Sequence, residues 1–168
     1  MYSPANWYWT IAGDTTHAWS SASLSYVPAA DAAYAAWLAA GNTPTSIASA
    51  GELYQVMQQQ VVPLLQAAGI QIASTSTPAL NGPYPIDEAA QSDMSAIAAG
   101  VAAGKGLPSG SNPFAYPNSE GAEVVFTAEQ FTDFAAAIEA YLYAFNQALA
   151  ARIGGGSTAL PSTALTIA

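Results

Sequence analysis

Six large apolar residues, Phe131, Phe134, Ile138, Leu142, Phe145 and Leu149, recur at spacings of 3, 4, 4, 3 and 4. That is the period of one helix face and of no strand. Thr127-Ala-Glu-Gln130 stands just before the stripe, a capping-box pattern in which the side chains at each end satisfy backbone amides at a helix start. The spacing predicts a helix from about 128 to 152, roughly 37 Å long at 1.5 Å per residue. A stripe of that length needs cover. The chain has 168 residues, 39 of them alanine, so its other helices carry few bulky side chains. One face of an intramolecular bundle is one reading, and the near-heptad spacing also suits packing against copies of the chain around a symmetry axis. The stripe exceeds what the alanine-rich remainder obviously covers, so part of it is expected to form an interface with another chain.

The remaining pattern predicts an α+β fold. Trp7 to Ala12 and His17 to Val27 flank Gly13-Asp-Thr-Thr16 and read as a β-hairpin. Asp31 can cap a short helix over 32–40, which Gly41 stops. Ser49-Ala-Gly-Glu52 is another capping box, opening a helix over 50–68 that should kink or restart at Pro63. Residues 70–86 turn to Ser, Thr, Pro, Asn and Gly and read as a linker between an N-terminal unit, 1–69, and a helical C-terminal unit, 87–153. Asp87 opens a helix to about Ala103, and Ala122 to Phe126 is a short strand candidate. After Gly154-Gly-Gly156 the unit Ser-Thr-Ala-Leu occurs at 157–160 and again at 162–165. Residues 154–168 are therefore expected to be a flexible arm, with Leu160 and Leu165 pairing onto a neighbouring subunit.

Chemistry-bearing residues are scarce. Against 11 acids stand only Lys105 and Arg152, for a net charge of −9, so no cationic surface exists to hold phosphates or an anionic membrane. With no cysteine and one histidine, His17, thiol chemistry and multi-histidine zinc sites are excluded within one chain. No cofactor, metal or catalytic residue is expected. Asp87-Glu88 with Asp93, and Glu120 with Glu123, read as helix-start and loop acids ahead of a glycosidase pair. Gly100 to Gly106 resembles a phosphate loop but is one residue short and lacks the Ser or Thr that holds magnesium, so it reads as a helix stop. No run of 18 apolar residues crosses a membrane, and Met1 to Asp14 lacks a basic segment ahead of an apolar one, so no signal peptide is expected. Trp7 and Trp9, with Trp19 across the hairpin, would suit a sugar ring if exposed, or the core if buried.

Two segments resemble tailed-phage proteins. Trp9-Thr-Ile-Ala-Gly-Asp14, Ser20-Ser21, Tyr26-Val-Pro28, Asp31-Ala-Ala-Tyr34, Trp37 to Asn42 and Pro44-Thr45 resemble the N-terminal module of small tail-region proteins of tailed bacteriophages and prophages. Leu80-Asn-Gly82, Tyr84-Pro85, Asp87, Ile97 to Gly100, Ala103 to Pro108, Tyr116-Pro117, Gly121 and Phe126 to Phe131 resemble the phage family DUF4376. A histidine is common in that family near the position of Glu123, and this chain has none there. The resemblance implies a non-enzymatic virion protein, tail or tail-fibre associated, contacting other virion proteins and copies of itself. A module that binds host surface glycan through Trp7, Trp9 or Trp19 is the alternative, and a tail-fibre assembly factor a second.

Overall fold

The computed structural model describes residues 2–110 and 113–168 and is mixed α+β. It divides into two compact units, Met1–Leu64 with Phe145–Leu160, and Leu65–Ala144 with Pro161–Ala168.

The first unit is built on the expected hairpin. β1 (Tyr8–Ile11) pairs antiparallel with β2 (His17–Ser20), Trp9 opposite Trp19. β3 (Ser25–Pro28) adds antiparallel to β2, and β4 (Thr45–Ile47) adds parallel to β1, giving the order β3-β2-β1-β4. Alternation gives the sheet two apolar faces. One carries Tyr8, Ala18 and Val27, on which Tyr34 and Trp37 of α1 (Ala32–Ala39) pack. The other carries Trp9 and Trp19, at 2% and 0% exposure, and the Trp19 indole donates to Met57 Sδ at 3.2 Å. Met57 lies in the helix after β4, where α2 (Ala50–Val56) and α3 (Val62–Ala68) are joined by one π-helical turn, Met57–Val61. The wide turn ends just before Pro63, whose ring would clash with a carbonyl in an unbroken α-helix. The expected restart is therefore present, without a break in the helix.

The second unit corrects the expected linker. Residues 70–86 hold β5 (Ile70–Ser74), antiparallel to β6 (Gly82–Tyr84), with Ile70, Ile72 and Ser74 buried in strict alternation. Gly69 makes the abrupt passage from α3 into β5: its φ is +74°, and a Cβ there would stand 2.5 Å from the Tyr84 carbonyl oxygen. The expected flexible arm is also corrected. Its last residues form β9 (Ala164–Ile167), parallel to β5 in the same chain, with Leu165 opposite Ile72 and Ile167 opposite Ser74. Gln71 N donates to Thr163 O at 2.8 Å, Thr75 N to Ile167 O at 3.0 Å and the Ser74 hydroxyl to Ala168 O at 3.0 Å. The boundary expected at 69 falls inside a folded unit because Ile-Gln-Ile finds a partner strand 90 residues away.

α4 (Glu88–Ala102) and α5 (Ala128–Ile153) flank a second ribbon, β7 (Phe114–Pro117) with β8 (Glu123–Phe126). Both start as their caps require. Ala90 N donates to Asp87 Oδ1 at 3.0 Å, and Thr127 and Gln130 exchange hydrogen bonds at 2.9 and 3.2 Å. Phe126, Phe131 and Phe134, all fully buried, pack with Tyr84, Tyr116 and Phe114 at ring separations of 4.7 to 6.4 Å. Among the described residues no helix is long and apolar enough to cross a membrane.

Candidate functional site

The apolar stripe is core. Phe131, Phe134 and Leu149 are fully buried, Ile138 and Phe145 nearly so, and Leu142 is half-buried. The expectation that this face meets another chain is therefore overturned, because four rings from three strands, Tyr84, Phe114, Tyr116 and Phe126, pack on Phe131 and Phe134 and supply cover that the alanine-rich helices lack. Leu160 and Leu165 are half-buried within their own chain. The exposed face of α5 bears one large apolar ring, Tyr143, at 69% exposure.

Two tryptophans of the candidate glycan platform are likewise interior. Trp9 and Trp19 present no face to solvent. Trp7 is half-buried, its indole donating to Thr45 Oγ1 at 2.9 Å and its ring edge-on to Trp37 at 4.9 Å. A sugar cannot stack on rings that the sheet and its helices already cover.

Of the candidate acids, Asp87 serves the backbone, and the loop that holds Glu120 is shaped by an asparagine. Asp87 caps α4, and Asn118 Oδ1 accepts the amides of Glu120 and Ala122 at 3.0 and 2.9 Å, which shapes the turn between β7 and β8. Gly104 N to Val101 O and Lys105 N to Gly100 O close the end of α4, so the loop resembling a phosphate site is a helix stop. Among the described residues no three His, Cys, Asp or Glu side chains gather as metal ligands.

Two features remain open to a partner. The first is the outer edge of β9. β5 lies on one side of it and no strand on the other. Thr163 O and Ile167 O accept from β5, so by alternation Ala164 and Thr166 turn their amides and carbonyls outward; the Ala164 amide donates to Ser162 Oγ at 3.1 Å, which leaves the Thr166 amide as the outward donor of the strand. Ala164-Leu-Thr-Ile167 carries no charge and no proline, the devices that ordinarily blunt a strand edge.

The second lies around the β1–β2 turn. Asp14 Oδ1 accepts the Thr16 hydroxyl at 2.6 Å, the Thr16 amide at 2.7 Å and the His17 amide at 3.2 Å. Those bonds, the Thr16 hydroxyl first, hold the Asp14 carboxyl below its ordinary pKa. His17 Nδ1 is 3.6 Å from Asp14 Oδ2 and 2.9 Å from Thr16 Oγ1. The ring lines two clefts. One, of about 400 Å³, is walled by Thr10, Tyr34 and Leu38, and the other, of about 380 Å³, by Tyr26, Arg152 and Ser157. Asp14 and His17 stand three apart in one turn, so their approach is local in the sequence. Arg152 as a neighbour of this turn is not legible in the sequence, because nothing in the chain signals contact between residues more than a hundred positions apart.

Comparison with protein families, with curated proteins and with solved structures finds no match for this chain.

Proposed function

We propose that the chain is a structural protein of a tailed-phage virion, tail or tail-fibre associated, working through protein–protein contacts in several copies. The observation that carries this reading is the uncharged outer edge of β9, which no strand among the described residues covers and onto which an extended segment of a neighbouring virion protein adds as the next strand. The resemblance of both halves to phage tail-region sequences supports the same assignment. Burial of Trp9 and Trp19 leaves the glycan-binding alternative only Trp7, itself half-buried and engaged with Thr45 and Trp37.

Thr166→Pro tests the reading. It deletes an outward amide while leaving the ladder to β5 intact. The variant is expected to keep its circular dichroism and melting temperature and to be missing from purified particles that contain the wild type, as read by quantitative mass spectrometry. Wild-type chain absent from particles but present in infected cells points to the assembly factor and overturns the virion role. Incorporation of the variant at wild-type stoichiometry overturns the role of the edge.

A further inference from the structure

The cleft beside Arg152 has a charge that the fold does not neutralise. The first unit contains one permanent side-chain cation, Arg152, and three carboxylates, Asp14, Asp31 and Glu52. Every carboxylate is spent on backbone amides: Asp14 on its turn, Asp31 on Tyr34 N at 2.9 Å, Glu52 on Ala48 N at 2.7 Å. None pairs with the guanidinium. Arg152 is fixed instead by neutral oxygens, Nε donating to Thr158 O at 2.6 Å and Nη1 to Ser23 O and Leu24 O at 3.1 Å. Its Nη2 has no protein partner among the described residues.

A helix C-terminus ordinarily repels an anion, and α5 ends at this cleft. Here its carbonyls are closed. Ala150, Ala151 and Arg152 accept from Gly154, Gly156 and Gly155, and the Tyr26 hydroxyl donates to Ile153 O at 3.1 Å. What remains at the cleft is a planar, oriented cation ringed by polar groups: the hydroxyls of Ser25 and Ser157 and the ring of His17. Tyr26 and Pro28 add apolar wall. A volume of about 380 Å³ is far more than a bare carboxylate fills. One cation among several hydroxyls matches a ligand with a single negative charge on a hydroxyl-rich ring, whereas a phosphate dianion calls for more than one cation.

We propose that this cleft binds a carboxylated sugar of the uronic acid type, its carboxylate on Arg152 and its hydroxyls on Ser25, Ser157 and His17. The site is separate from the β9 edge and holds whether or not the chain is a virion protein.

The test is a titration of the full-length, nitrogen-15-labelled protein with sodium glucuronate at constant ionic strength and neutral pH, read from amide resonances. Saturable shifts are expected at Gly155, Gly156 and Ser157, with a dissociation constant of about a millimolar for a single small sugar. Glucose, which lacks the charge, and acetate, which lacks the ring, should each bind at least about tenfold more weakly. Arg152→Gln should abolish the shifts. Since Arg152 also ties down three carbonyls, Ser157→Trp, which fills the cleft and leaves those bonds in place, provides the same loss in a folded protein. Absence of saturable shifts with glucuronate overturns the proposal. So does equal affinity for glucose or acetate, or full binding by Ser157→Trp.

Discussion

The two larger sheets share one plan and differ in where it is completed. Each starts as an antiparallel ribbon, β1–β2 or β5–β6, and each receives one later strand parallel to its first. In the first unit that strand, Thr45–Ile47, follows within forty residues of Tyr8–Ile11; in the second, Ala164–Ile167 arrives at the end of the chain. A two-stranded ribbon is marginal in water, so the second sheet depends on the C-terminus in a way the first does not. The interiors differ as well. All four tryptophans lie in the first unit, and four of the five phenylalanines in the second. Tryptophan emission thus reports one unit, while circular dichroism reports both.

The largest expected effect is in the phenylalanine cluster. Phe134→Ala should cost about 3–5 kcal/mol in denaturant unfolding, the usual loss for a fully buried ring. Tryptophan emission should unfold at its wild-type midpoint. A matching shift would mean that the two units unfold together, and the comparison would fail.

Removing residues 164–168 comes next. Burial of Ile167 alone contributes about 1.5–3 kcal/mol, and the parallel ladder is lost with it. Thermal melting followed by circular dichroism should fall by several degrees, again without moving the tryptophan transition. An unchanged melt would show that β9 is an appendage after all.

Burial raises the Tyr26 and Tyr34 hydroxyls in the first unit as well, but the large rise is in the second, so alkaline pH weighs more on the second. Burial pushes the Tyr84 hydroxyl up to about 12, and Tyr116 and Tyr141 upward too. The folded state keeps these protons while the unfolded chain loses them near pH 10, so stability is whole below pH 10 and falls as pH climbs toward 12. For Tyr84 the loss is on the order of 2 kcal/mol. Tyrosinate absorbance alongside denaturant midpoints would check it, and a stability constant from pH 9 to 11.5 would contradict it.

The smallest effects are at the caps. Asp31→Ala in the first unit and Asp87→Ala in the second should each cost about 1 kcal/mol, visible as small midpoint shifts in both tryptophan emission and circular dichroism in the first case and in circular dichroism alone in the second.

Helices were legible because their signals are local. The caps at Asp31, Ser49, Asp87 and Thr127 and the stripe from Phe131 to Leu149 act within one or two turns, and each helix begins where its cap stands. The first hairpin was legible for the same reason, its turn and both strands lying within fourteen residues. β4, β7 and β9 were not, since a strand of three or four residues carries little pattern of its own. The Ile70-Gln-Ile72 alternation was visible but sat beside turn-rich sequence.

What the sequence determined by itself, then, is the set of helices and the first turn, both properties of residue type and short spacing. Tertiary structure decided what covers the stripe, where the tail goes and which groups Arg152 meets. Those depend on pairings between residues 74 and 167, or 24 and 152, and such pairings are selected by burial and backbone hydrogen bonding over the whole chain.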